Sequence, residues 1–206
     1  MKQWFDSTQE HQGTKMNILY IHGFGSAYNP DNPKIKELEA LGTVHGVDVD
    51  YTKGYERVFN KVYDAVTNEL NDISTDLIVG TSMGGYMAAI IGASLDIPFV
   101  AMNPAIEPKL SLLQWIGTFI DYNRDEKHLN RSTASMYPSI SKKGNGLILL
   151  DLADEILPAR ETEAELKDVF RVETFAGGSH RFTHTAQSIP IIKEFIENTN
   201  GKTSDP

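Results

Sequence analysis

Six short apolar runs set the rhythm of the sequence: 17–22, 44–49, 77–81, 97–102, 147–152 and 171–175. Several are β-branched and nearly continuous, as strands buried on both faces must be. Helical patterns lie between them. Residues 56–71 place Val58, Phe59, Val62, Tyr63, Val66 and Leu70 on one stripe, and 83–95, 159–169 and 188–197 also read as helix. Asn32-Pro33 supplies a cap and a first-turn proline for a helix over 33–41. Strand and helix alternating on this scale predict an α/β fold, a mostly parallel sheet of about six or seven strands with helices on both faces. Residues 104–140 break the rhythm, with three prolines and with Trp115, Phe119, Tyr122 and Tyr137. They are expected to form a small cap inserted over one end of the sheet.

A chain of 206 residues fits one domain, expected over 16–200. Residues 1–15 show no convincing period and read as an N-terminal extension, with a short packed element anchored by Trp4 and Phe5 as the alternative; 201–206 read as a tail. The formal net charge of −9 repels phosphate backbones and anionic membranes, and the densest basic spot is only Lys142-Lys143. Neither a nucleic acid nor a membrane is therefore expected as a partner. With no cysteine, disulfides, thiolate metal sites and a cysteine nucleophile are excluded. No apolar stretch approaches the roughly 18 residues of a membrane helix, and the polar N-terminus does not read as a secretory signal. A cytoplasmic protein is the expectation. The sequence carries no signal of oligomeric state.

The strongest local signal is Gly80-Thr81-Ser82-Met83-Gly84-Gly85, between the run Leu77-Ile78-Val79 and the helical pattern that starts at Tyr86. A G-x-S-x-G at a strand-to-helix turn is a nucleophile elbow, in which the serine projects from the carboxyl end of the sheet beside a helix N-terminus. Serine needs a base to take its proton. His180 follows the last predicted strand, in Gly177-Gly178-Ser179-His180-Arg181-Phe182, and is the first choice. His184 is its rival, although a solvent-facing or capping role suits it better. His45 falls in a strand pattern, and His22 reads as a loop brace. The base needs an acid to fix its tautomer. Asp154, just past the run Leu147–Leu150, is favoured, with Glu155 and Asp151 as alternatives. The order Ser82, Asp154, His180 is that of an α/β-hydrolase. An oxyanion site would use the N–H of Met83 and that of Phe24, in the loop His22-Gly23-Phe24-Gly25-Ser26. Trp115, Phe119 and Tyr122 are candidates to line an acyl site, or else belong to the core of a local helix. His180 and His184 stand four apart without the glutamate of a zinc helix, and Asp121, Asp125 and Glu126 read as a solvated face, so no metal site is expected.

Ile21-His22-Gly23-Phe24, Gly80–Tyr86, Asn103-Pro104-Ala105, Asp154–Leu157 and Gly177–Phe182 together resemble the YqiA-like esterases, small α/β-hydrolases of bacteria and phages. The order and approximate spacing of the five motifs match over about Met16 to Glu197, while 1–15 and 106–140 depart from the pattern. The resemblance implies a catalytic serine, aspartate and histidine at Ser82, Asp154 and His180. It also implies hydrolysis of small-molecule carboxylic esters or thioesters without a cofactor. An acyltransferase working through the same acyl-enzyme, and an idle α/β-hydrolase domain used for binding, are the competing readings.

Overall fold

The computed structural model describes residues 15–67 and 74–200. The expectations placed on Trp4 and Phe5, on Leu70 and on the tail 201–206 lie outside the described residues. In chain order the elements are β1 (Met16–Ile21), α1 (Pro33–Leu38), β2 (Gly42–Val47), α2 (Tyr55–Thr67), β3 (Leu77–Thr81), α3 (Met83–Leu95), β4 (Phe99–Met102), α4 (Pro108–Ser111), β5 (Gly117–Ile120), β6 (Glu126–Leu129), α5 (Arg131–Ser135), β7 (Gly146–Asp151), α6 (Ala159–Leu166), β8 (Arg171–Phe175) and α7 (Thr185–Asn200).

Six strands form one parallel sheet in the order β2-β1-β3-β4-β7-β8. All six predicted strands are in it, shifted by at most a few residues. The period of two then sorts each strand's side chains onto two cores. Leu19, Ile21, Ile78, Ala101, Ile148 and Leu150 face a core completed by Val58 and Val62 of α2, Met87 and Ile91 of α3, and Leu166 of α6. Ile18, Tyr20, Leu77, Val79, Val100, Met102, Leu147 and Leu149 face the other, closed by Ile35 and Leu38 of α1 and by Ile192 and Phe195 of α7. Each fully buried aliphatic side chain contributes about 1.5–3 kcal/mol, so these two layers hold the sheet. The Asn32 side chain accepts the Lys34 N–H at 3.0 Å and caps α1 where the sequence predicts it.

The chain runs from β1 outward to β2, then back across β1 to β3. The order reverses between β1 and β3, and the loops leaving their carboxyl ends diverge into a crevice, where open α/β sheets bind ligands. Residues 104–140 add one thing the sequence did not suggest, an antiparallel pair of β5 and β6. Its turn is fixed by Asp121, whose Oδ1 accepts the Asp125 N–H at 2.9 Å, and by Arg124 at φ 65°. The segment reaches the carboxyl edge of the sheet: the Tyr122 N–H donates to the Gly25 carbonyl at 2.8 Å, and the Tyr137 hydroxyl donates to the Tyr51 carbonyl at 2.7 Å. Among the described residues, no helix is long and apolar enough to cross a membrane.

Candidate active site

Ser82 stands between β3 and α3 with φ 58° and ψ −120°, and its surface is 9% exposed. Such a backbone is costly for a residue with a Cβ and persists only where the surroundings fix it. The surroundings here are close contacts that no side chain could enter. A Cβ on Gly80 would lie 2.1 Å from the Gly84 carbonyl oxygen, and one on Gly84 would lie 2.0 Å from that of Ile21. The turn is thereby pressed against β1 and the loop that follows it.

The Ser82 Oγ lies 2.9 Å from His180 Nε2. On the far side of the ring, Nδ1 lies 2.9 and 3.0 Å from the two carboxylate oxygens of Asp154. A carboxylate only accepts, so Nδ1 carries the proton and Nε2 is free to accept from the serine hydroxyl. Asp154 is held in turn: its Oδ1 accepts the N–H groups of Ile156 and Leu157, both at 2.8 Å, and its side chain is 1% exposed.

The three acidic candidates separate by what they touch. Asp154 meets the ring of His180. Glu155 meets its backbone, accepting the His180 N–H at 2.9 Å, and that bond holds the Glu155 carboxyl below its usual range. Asp151, fully buried at the end of β7, accepts from the Ser179 and Thr183 N–H groups at 3.0 and 2.8 Å, and its Oδ1 lies 2.7 Å from His184 Nδ1. His184 thus belongs to a separate pair, its ring stacked on Phe175 at 5.1 Å. His45 and His128 lie in β2 and β6, away from Ser82.

The loop after β1 passes directly beside the serine, since a Cβ on Gly23 would sit 3.2 Å from that of Ser82. His22 braces it. Its Nε2 accepts the Val49 N–H at 3.1 Å, its Nδ1 donates to the Gly23 carbonyl at 2.8 Å, and its own carbonyl accepts the Tyr51 hydroxyl at 2.7 Å. Burial pushes the His22 imidazolium below its ordinary range, as an accepting Nε2 requires. Asp48 Oδ1 is 3.4 Å from the same Nε2, but with that nitrogen unprotonated the two do not form an ion pair. Met83 opens α3, where first-turn N–H groups have no intrahelical partner. Phe24 and Met83 both line the small cleft at Ser82, of about 80 Å³, together with Leu112, Trp115, Ile156 and Leu157.

Phe119 and Tyr122 do not line that cleft. Phe119 packs on the back of Phe24 at 5.0 Å and lines a second cavity of about 190 Å³ with His22, Asp50 and Lys127. Tyr122 is exposed, and its hydroxyl accepts from Asn29 Nδ2 at 3.2 Å. The reason is that the three lie in different local structures: Trp115 ends a 3-10 turn, Phe119 is on β5 and Tyr122 is in the turn after it, so a helical spacing of aromatics does not place them together. Asp121 and Asp125, expected on a solvated face, surround Lys127 Nζ with Asp50 at 3.5–3.7 Å.

Two residues escaped the sequence reading. Asn103, after β4, holds the His180 loop through its side chain, although its motif was in view. Lys34, on α1, donates to Thr81 Oγ1 at 3.0 Å and to the Arg181 carbonyl, and burial pushes its ammonium down to about 7. No local pattern marks such a lysine, because its partners lie 47 and 147 positions away.

Comparison with known proteins agrees with this architecture. The profile of the "Uncharacterised protein family (UPF0227)" matches residues 17–197. The UPF0227 protein YcfP of Escherichia coli O9:H4 (strain HS) is 26% identical over 182 residues, covering 86% of this chain and 97% of that protein. Among solved structures, Est1E from Butyrivibrio proteoclasticus superposes with a TM-score of 0.66 at 17% identity, covering 93% and 90% of the two chains. A Paleococcus ferrophilus monoacylglycerol lipase gives 0.61 at 18%, covering 90% and 96%. Sheet order, the strand-to-helix turn at Ser82 and these matches together establish an α/β-hydrolase fold, and the chain belongs to the UPF0227 family.

Proposed function

We propose that this protein is a serine hydrolase that cleaves small carboxylic esters or thioesters through an acyl-enzyme on Ser82. The observation that carries the reading is the unbroken line of contacts from Asp154 through His180 to Ser82. The Ser82 oxygen attacks the acyl carbon while its proton passes to His180 Nε2, and Asp154 stabilises the imidazolium that forms. The carbonyl electron pair moves onto oxygen, where the Phe24 and Met83 N–H groups and the positive end of α3 receive the charge. Collapse expels the alkoxide or thiolate, which takes the proton from Nε2. Water, deprotonated by His180, then attacks the acyl-enzyme, and Ser82 leaves with that proton as the acid is released.

The cleft wall of Leu112, Trp115, Ile156 and Leu157 is apolar and its volume is small, which favours a short acyl chain. Residues 104–140 supply half of that wall and act as the cap of a single domain spanning 16–200. Steady-state hydrolysis of a series of acyl esters and acyl thioesters, from acetyl to decanoyl, tests the reading. The expected result is measurable turnover with kcat/KM falling as the chain outgrows the cleft. Turnover that rises steadily to decanoyl contradicts the assigned cleft, and absence of turnover across both series contradicts the function.

A further inference from the structure

The turn Asn103-Pro104-Ala105 touches both halves of the Ser82–His180 pair. On one side it holds the serine. The Ser82 N–H donates to the carbonyl of Met102 at 2.9 Å, and the Ala105 N–H donates to the carbonyl of Ser82 at 3.2 Å. On the other side it holds the histidine. Asn103 Nδ2 donates to the carbonyl oxygens of Ser179 and His180 at 2.9 and 3.2 Å, and Asn103 Oδ1 accepts the Asp151 N–H at 2.8 Å. The Asn103 N–H is itself fixed to the Leu149 carbonyl at 2.8 Å. The residue is 2% exposed, and its φ is +43°.

We infer that Asn103 is a positioning residue that sets the separation of Ser82 and His180, with the turn spanning the two. This rests on the reading of Ser82 as nucleophile and His180 as base. The chemistry selects asparagine on three counts. The side chain must donate twice and accept once from one short planar group, which an amide can do. Aspartate keeps the shape and the acceptor but has no N–H, and its charge would face two carbonyl oxygens. The left-handed backbone admits asparagine, aspartate and glycine far more readily than other residues. The remaining peptide groups of the loop are gripped from elsewhere: the His180 N–H by Glu155, the Ser179 and Thr183 N–H groups by Asp151, and the Arg181 carbonyl by Lys34. Loss of the amide therefore leaves the loop attached but frees the His180 carbonyl and leaves that of Ser179 held by the Phe182 N–H alone, at 2.9 Å.

Asn103→Gly and Asn103→Asp test the inference. Glycine keeps the turn and deletes the amide; aspartate keeps the shape and the acceptor, and replaces the donors with a charged oxygen. A displacement near 1 Å at the reacting groups costs about 100-fold in rate. Both variants are expected to lose about 10- to 100-fold in kcat with little change in KM, and to react correspondingly more slowly with a fluorophosphonate. In proton NMR, the downfield signal of the His180 Nδ1–H shared with Asp154 is expected to broaden in both. Wild-type rates together with a wild-type downfield signal in either folded variant overturn the inference. So does a loss of rate that follows a lowered Tm and vanishes on cooling. If Asn103→Gly does not fold, Asn103→Asp decides alone. If wild type and Ser82→Ala react alike with the probe, the proposed function fails, and the downfield signal, which needs no turnover, still decides the role of Asn103.

Discussion

His22 is buried, carries no charge, and ties its own loop to residues 49–51: its ring accepts from Val49 and donates to Gly23, and its own carbonyl receives the Tyr51 hydroxyl. Its folded-state pKa lies below the ordinary 6.5. Below pH 6.5 the unfolded chain therefore binds more protons at this residue than the folded one, and stability falls with pH. The contribution of neutral His22 is whole above pH 6.5 and is lost as pH falls through the lower, folded value. Thermal melts of wild type and His22→Gln across pH 5 to 8 are expected to show the variant less stable at pH 8, with the gap closing in acid. A gap that stays constant or widens in acid contradicts a neutral, accepting His22. At this scale the sequence was informative where a motif fixes a residue's place. Ser82, Asp154 and His180, each chosen from its position beside a strand end, are the residues that meet. It was mute on direction. Asp154 and Glu155 are adjacent, yet one carboxylate reaches the imidazole ring and the other the backbone N–H of the same histidine.

The turn from β3 to α3 is held by close contacts as well as by hydrogen bonds. The glycine that opens the sharp bend and the one that lets α3 approach β1 leave no room for a methyl group, whereas Gly85 has some: an added Cβ would stand 3.1 Å from the Gly80 carbonyl oxygen. Gly84→Ala is expected to cost about 3 kcal/mol by overpacking against backbone that cannot yield. Gly85→Ala meets milder crowding, offset by up to about 1 kcal/mol of helix propensity, and should change stability little. Urea denaturation of the two variants checks the ordering; equal effects would mean that the bend can relax. Elements with a strong local signature were legible in the same way: the capped start of α1, the stripe of α2, the glycine-framed start of α3. The β5–β6 hairpin was not. Each of its strands has four residues, one face is solvated, and its turn is an Asp121-centred bend with Arg124 in place of a glycine. Its positions alternate between half-buried and exposed along Gly117–Ile120, but the residues Gly-Thr-Phe-Ile do not alternate apolar with polar, since the exposed Ile120 is itself apolar, so no period of two marks the strand.

At the scale of the whole molecule, four chain segments far apart in sequence converge because a parallel sheet sends every strand's carboxyl end to one edge. β1 delivers the Phe24 loop, β3 delivers Ser82, β7 delivers Asp154, and β8 delivers His180. That convergence was legible from the alternation of strand and helix, since a parallel sheet admits few topologies. What the alternation could not convey is which loop peptides grip which, as in the hold of Asn103 on the His180 loop, because such contacts join strands whose neighbour relations are set only by the finished sheet. In the proposed function this edge activates one serine. Intact-mass spectrometry of the protein after exposure to a fluorophosphonate, with Ser82→Ala alongside, tests it most directly. The expected result is a single adduct on wild type, none on Ser82→Ala, and labelling slowed on the order of 10⁴-fold in His180→Ala. Folded wild type that takes no label, or equal labelling of wild type and Ser82→Ala, would contradict it.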